Sequence, residues 1–263
     1  MELGIQGRVA LVTGGSKGIG RAVAAGLANE GCRVAIAARG GEALDETAEA
    51  LSAKGAEVLR LNADLTEPDA PRRVVEAVVA RFGRLEILVN NAGAIRGGDF
   101  LTTPAETWAD DWRLKILGYV RMAQAAIPVM RTGHWGRIVN VIGAAARNPA
   151  TTYMAGGIAN AGLINFTRAL ADLGAPDGIL VNAVSPGPTA TERWDRLIAQ
   201  QAHAQGQTVE AFKAEVARKQ PLGRIGQPED VADLVVFLAS ERAGFLTGAS
   251  ITVDGGASRG VYL

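Results

Sequence analysis

The chain has 263 residues with 27 basic and 27 acidic side chains, and 48% of its residues are hydrophobic. Without an excess or a run of one charge, neither nucleic acid nor an anionic membrane is expected as a main partner. The lone cysteine, Cys32, cannot form an internal disulfide, no apolar run reaches membrane-spanning length, and Met1 to Thr13 lacks the pattern of an export signal, so a cytoplasmic location is expected.

Taken in chain order, short β-rich runs alternate with longer helical patterns. Arg8–Thr13, Arg33–Ala38, Glu57–Leu61, Glu86–Asn90, Arg137–Val141, Leu180–Val184 and Ser250–Val253 read as strands. Most are continuous runs of Val, Ile, Leu and Ala, which implies burial on both faces. Helix-period stretches lie between them at Gly18–Asn29, Glu42–Ala53, Ala70–Arg81, Glu106–Met130, Tyr153–Ala171 and Pro228–Ala239. This alternation predicts right-handed βαβ units and an α/β fold: one Rossmann-type domain over 1–263 with a doubly wound parallel sheet of about seven strands. One stretch departs from the rhythm. Residues 189–220 are polar, rich in Gln and Ala, and about two helices long. Since ligands of open α/β sheets sit beyond the carboxyl ends of the strands, an insertion after Val184 is placed to act as a lid, and a surface hairpin without a role is the alternative.

Directly after the first strand stands Thr13-Gly14-Gly15-Ser16-Lys17-Gly18-Ile19-Gly20, which leads into a helix. Glycines there allow a sharp turn and close approach of backbone N–H groups to a pyrophosphate, and the helix N-terminus adds partial positive charge. Gly14, Ser16, Lys17, Gly18, Ile19 and Gly20 are therefore candidate nucleotide contacts. The second strand ends Ala37-Ala38-Arg39. An acidic residue at that end would hold a ribose 2′-hydroxyl; Ala38 leaves the place open, and Arg39 and Lys17 can flank a 2′-phosphate. The expected cofactor is NADP(H).

These motifs together with Asn90-Asn91-Ala92-Gly93, a tyrosine (Tyr153) opening a helix, Pro186-Gly187-Pro188-Thr189-Ala190-Thr191 and Asp254-Gly255-Gly256 resemble the short-chain dehydrogenase/reductase family, in its branch of 3-oxoacyl-carrier-protein reductases. The likeness runs from about Gly7 to Gly256. It implies strand order 3-2-1-4-5-6-7 and a homo-oligomer, tetramer or dimer. It also implies that Asp64 contacts adenine, that Asn90 and Gly93 line the cofactor, and that Pro186, Gly187, Thr189 and Thr191 lie by the nicotinamide.

The family's catalytic set is an Asn in the long helix after the fourth strand, a Ser after the fifth, and Tyr-x-x-x-Lys. Here Lys115 takes the Asn place, Gly143 the Ser place, Tyr153 matches, and Gly157 stands four residues after it. The loop leading to Tyr153 is a few residues short. An unperturbed tyrosine has a pKa of about 10, and a nearby cation favours the phenolate. Lys115 is expected to supply that cation from a new origin, in the space vacated at Gly157. Each glycine inside a helix costs about 0.5–1 kcal/mol relative to alanine, so the pair Gly156-Gly157 signals close approach or required space. Asn140, Arg147, Asn148, Thr152 and Asn160 are polar candidates for the missing serine's role. His134 and His203 are isolated, so no metal site is expected.

The expected activity is NADP(H)-dependent reduction of a small or medium ketone or 3-oxo substrate, with Tyr153 as proton donor and Lys115 as the displaced cation. The alternatives are a nucleotide-binding sensor or assembly partner that has lost the chemistry, and an enzyme of non-redox chemistry.

Overall fold

The computed structural model describes residues 1–259; the last four residues of the expected domain lie outside the described residues. The strands are β1 (Val9–Thr13), β2 (Arg33–Ala38), β3 (Val58–Asn62), β4 (Ile87–Asn90), β5 (Gly136–Val141), β6 (Ile179–Pro186) and β7 (Ser250–Val253). All pair in parallel in the order β3-β2-β1-β4-β5-β6-β7, so the order reverses between β1 and β4. A parallel sheet needs crossovers on both faces, which is why its strands carry apolar side chains on both. In β1, Ala10 and Val12 face one core while Val9 and Leu11 face the other.

The first core lies under α1 (Gly18–Asn29), α2 (Glu42–Ser52) and α9 (Pro228–Leu238). The second lies under α3 (Ala70–Phe82), α5 (Gly118–Thr132) and α6 (Met154–Gly174). The insertion forms two helices, α7 (Glu192–Ala204) and α8 (Val209–Lys219), closed on each other through Ile198, Ala202 and Phe212. They follow β6 at its carboxyl end. Among the described residues, no helix is long and apolar enough to cross a membrane.

Two helices differ from their predicted spans by more than one residue at an end. The stretch Glu106–Met130 is not continuous: α4 (Ala105–Trp112) passes through one π-helical turn, Arg113–Leu117, before α5 begins. The wider turn re-phases the helix and puts Lys115 inside the protein, 6% exposed. The second helix starts at Met154 rather than Tyr153, which sits in the short 3₁₀ turn Thr151–Tyr153 ahead of it. Trp112 ties these segments together by donating its indole N–H to the Ala155 carbonyl at 3.0 Å.

At the opposite, amino-terminal edge of the sheet, the buried Glu86 fixes the entry of β1. Its carboxylate accepts the Val9 N–H at 2.9 Å and pairs with Arg8 at 2.6 Å and Arg84 at 2.9 Å. Hydrogen bonds to a charged group contribute about 1.5–3 kcal/mol each when a partner is removed. Glu86→Ala is therefore expected to lower unfolding stability in urea by about 2 kcal/mol. Glu86→Gln, which keeps an acceptor for Val9, should lose less; equal losses would show that the Val9 bond contributes nothing.

Candidate active site

The turn between β1 and α1 is built around a contact that only glycine allows. A Cβ on Gly20 would run into the Gly14 carbonyl and the Asn91 amide, so the first turn of α1 packs directly beneath the strand end. Gly20 is thus buried support, whereas Gly14, Ser16, Lys17, Gly18 and Ile19 line the groove above it. Gly14 and Gly18 hold φ of 65° and 52°, a region in which side chains are strained. The groove has a volume of about 400 Å³ and continues past Arg39 at the end of β2 to Gly93 after β4. These residues suit a dinucleotide: backbone N–H groups at a helix N-terminus for a pyrophosphate, and two cations beside the open Ala38 position for a 2′-phosphate. Lys17 already holds an anion, for its ammonium donates to Glu192 at 2.8 Å, and the Glu192 carboxyl is held below its ordinary range by that bond and by the lysine's charge.

One expected cofactor contact lies elsewhere, and another lies beside the groove. Asn90 is fully buried in the sheet and donates its amide to Asn140 at 3.0 Å; Asn140 in turn donates to Thr167 on α6 at 2.9 Å. It fastens β4, β5 and α6 and is not a wall of the groove. Its neighbour Asn91 is a wall, anchored by donation to the Thr13 and Gly14 carbonyls at 3.1 Å each. The sequence reading missed Asn91, although it stands in the same Asn-Asn-Ala-Gly motif. Asp64 accepts from the Thr66 N–H at 2.9 Å and hydroxyl at 2.8 Å, faces a depression adjoining the groove, and has its carboxyl held low first by the Thr66 backbone bond and also by the Arg39 charge. Its neighbours Ala63 and Leu65 line the groove itself.

A second cleft of about 370 Å³ opens from the groove and shares Ile19, Asn91, Gly93, Thr191 and Arg193 with it. Pro186, Gly187 and Thr189 line it on the β6 side. Gly187 is required there because a Cβ would come within 2.6 Å of Asp254, the first residue of the Asp254-Gly255-Gly256 motif. Thr191 caps α7 by accepting the Trp194 N–H at 3.2 Å, and Trp194 and Leu197 form the roof.

The cleft floor holds Tyr153, Lys115, Gly143 and Asn160. A Cβ on Gly156 would fall on the Tyr153 ring, at the Cε1–Cζ edge. The phenol therefore occupies the space of a side chain at 156, reached from three residues upstream. One turn after Gly156, the buried Asn160 points its amide at Gly143, within 2.9 Å of where a Cβ would lie. The cleft-facing pair at the family's four-residue spacing is thus Gly156 and Asn160. Gly157 is not part of it: a Cβ there would point at the Ala145 carbonyl, 3.5 Å away. That three-residue offset accounts for the short loop before Tyr153.

Lys115 also departs from expectation. Its chain crosses Gly93, where a Cβ would meet Lys115 Cδ at 2.5 Å, and its ammonium donates to the Tyr119 hydroxyl at 2.9 Å and the Val141 carbonyl at 2.7 Å. Burial, aided by the charge of Arg193, lowers its pKa to about 7. Burial raises that of Tyr119, which donates to the same carbonyl at 2.7 Å. Among the described residues, the cation bonded to Tyr153 is Arg193 of α7, at 3.3 Å. Arg193 is not among the site residues that the sequence reading names. Of the remaining polar candidates, Asn140 serves Asn90 and Thr167, Arg147 binds Thr252 and the Ser250 carbonyl, Asn148 binds Ser258, and Thr152 is exposed. Asn160 alone of that group reaches the cleft.

Comparison with known proteins agrees with this geometry. Residues 14–258 match the family model described as enoyl-(acyl carrier protein) reductase. A 3-oxoacyl-(acyl-carrier-protein) reductase, FabG, of Aquifex aeolicus is 35% identical over 257 residues, which cover 97% of this chain and 99% of that one. L-sorbose reductase from Gluconobacter frateurii, solved with NADPH and L-sorbose, superposes with a TM-score of 0.94 at 34% identity, covering 99% of this chain and all of that one. An actinorhodin polyketide ketoreductase variant solved with NADPH superposes with a TM-score of 0.93 at 31% identity, covering 97% of this chain and 98% of that one. The chain belongs to the short-chain dehydrogenase/reductase family.

Proposed function

We propose that this protein is an NADP(H)-dependent oxidoreductase that reduces a small or medium ketone, or a 3-oxo compound, with Tyr153 as proton donor. The observation that carries this reading is the placement of the Tyr153 phenol in the side-chain space of Gly156, where the cofactor groove opens into the second cleft. Related proteins named as 3-oxoacyl-(acyl-carrier-protein) reductase and L-sorbose reductase support the substrate class. Two related structures solved with NADPH support the cofactor.

When bound, the cofactor supplies a hydride at its nicotinamide. The residues of this chain do the rest. Gly14, Ser16, Gly18 and Ile19 seat the pyrophosphate on the α1 N-terminus, Lys17 and Arg39 hold the 2′-phosphate, and Asp64 meets the adenine from its flank. Gly93 with Asn91, and Pro186, Gly187, Thr189 and Thr191, border the nicotinamide half. Lys115 lies under the floor, its ammonium bonded to Tyr119 and the Val141 carbonyl and its charge weakened by burial. The helical hairpin within 189–220 acts as a lid that excludes water over the substrate. A cytoplasmic homo-oligomer is part of the same proposal, supported by the exposed apolar residues Met154 and Ile158 on α6 and Leu117 beside it.

NADPH oxidation should be followed against a panel of ketoses, cyclic ketones and 3-oxoacyl thioesters. Tyr153→Phe should cut kcat/KM at least about 100-fold, the scale of a lost general acid, while NADPH still binds. NADPH should bind more tightly than NADH, and Lys17→Ala with Arg39→Ala should erase the preference; tighter NADH binding to the parent would overturn the cofactor assignment. Lys115 adds a pH signature. Its folded pKa of about 7 lies below the unfolded value near 10.5, so the unfolded chain binds more protons between these pH values. The stability it contributes is present above the unfolded value and is lost as pH falls from there to about 7. In urea unfolding without cofactor, Lys115→Met should therefore gain on the parent at pH 7, and that gain should shrink toward pH 9.5 by at most about 1.4 kcal/mol per pH unit. A difference that stays constant with pH would place the lysine's charge in water.

A further inference from the structure

Arg193 is the one residue of the lid hairpin whose charge reaches the floor of the cleft, among the described residues. It lies in the first turn of α7, half-buried, with the helix phase set by the Thr191 cap. One guanidinium nitrogen, Nη1, donates to the Gly93 carbonyl at 3.2 Å; the other, Nη2, donates to the Ile95 carbonyl at 3.0 Å and to the Tyr153 hydroxyl at 3.3 Å. The two carbonyls belong to the loop after β4 and fix the plane of the group, so its remaining direction is toward the phenol. The other charged and polar groups nearby are committed elsewhere. Lys115 is spent on Tyr119 and Val141, Glu192 on Lys17, and Asn160 is neutral and turned to Gly143.

A guanidinium has donors and no acceptor. The Tyr153 oxygen must therefore accept from Arg193, and its own proton is directed away from the arginine, into the cleft. A guanidinium is also the more weakly hydrated cation and the harder to deprotonate, whereas burial in this floor lowers the pKa of the Lys115 ammonium to about 7.

We propose that Arg193 is the positioning residue of the proton-donating tyrosine, filling from the lid the place of the cation that the family supplies from α6. This rests on the reading of Tyr153 as proton donor and deepens it. As the carbonyl carbon takes hydride from the reduced cofactor, the Tyr153 O–H bond breaks and a new O–H bond forms on the substrate oxygen. The electron pair stays on the phenolic oxygen beside the guanidinium, which loses no proton, and solvent then restores the phenol. A bond of 3.3 Å is long for N–H···O, and such bonds tighten in the loaded site. Because Arg193 belongs to the hairpin, the acid is fully assembled only when that hairpin sits over the cleft.

Arg193→Met and Arg193→Lys should be compared alone and in the Tyr153→Phe background, reading kcat, ketone KM, NADPH affinity by fluorescence and the thermal midpoint. Arg193→Met should lower kcat about 100-fold while KM and NADPH affinity stay within about threefold, and Arg193→Lys should recover about tenfold of the loss. Millimolar guanidinium should restore part of the Met variant's turnover and none in the Phe background, where Arg193→Met should add no further loss. A kcat within about twofold of the parent for Arg193→Met would overturn the proposal, as would an equal loss with and without the Tyr153 hydroxyl. If Arg193→Met does not fold, the same comparison is made with Arg193→Lys. Full turnover in Tyr153→Phe alone would instead remove the donor role of Tyr153, and this pairing with it.

Discussion

The site depends on a bridge between the carboxyl ends of β1 and β4. The buried Thr13 hydroxyl accepts the Asn91 and Ala92 N–H groups at 2.9 and 3.1 Å and donates to the Val89 carbonyl at 3.3 Å. Asn91 returns its amide to the Thr13 and Gly14 carbonyls. Strand order reverses between these two strands, so their connections leave in opposite directions and a crevice must open there. The bridge holds the two lips of that crevice at a fixed spacing. Everything further along depends on it: Gly93 sits where Lys115 can pass beneath, and its carbonyl is presented to Arg193.

The floor of the second cleft shows how a site can be moved along its own chain. A helix places side chains at i and i+4 on one stripe, so Gly156 and Asn160 face the cleft and Gly157 does not. Leaving 156 bare lets a residue in the preceding turn lay its ring across the vacant space. Two basic groups then approach the same floor with different fates. Lys115 is wholly enclosed and satisfied by a hydroxyl and a carbonyl, so its charge is penalised. Arg193 comes in from the rim, half-buried, with its guanidinium on the Gly93 and Ile95 carbonyls and the Tyr153 hydroxyl.

Much of this was legible in the sequence because its cause is local. Continuous apolar runs identify strands buried on both faces, and the glycine turn after β1 announces the groove. The pair Gly156-Gly157 signalled required space, and the ring of Tyr153 is what fills it. The misses share a different cause. Asn90 and Asn91 are adjacent at a strand end and so point opposite ways, one into the sheet and one to the groove; a motif read as a string does not say which. Counting four residues from the visible tyrosine led to Gly157, because only the fold reveals that the tyrosine precedes the helix that carries its ring. The π turn at Arg113–Leu117 leaves no mark on hydrophobic periodicity. Nothing in composition separates Arg193 from Arg196 or Arg218; the Thr191 cap fixes the helix phase that turns Arg193 inward.

The bond between Lys17 and Glu192 joins the lip of the glycine turn to the base of the hairpin. Both partners are largely exposed, so solvent screens the pair. A phosphate arriving at Lys17 therefore meets an ammonium that already has a counter-ion, held loosely. Binding there would exchange one anion for another, and the carboxylate set free would be the neighbour of Arg193 in the chain. Recognition of a phosphate at one end of the groove and the seating of the guanidinium at the other would thus pass through consecutive residues of a single helical turn.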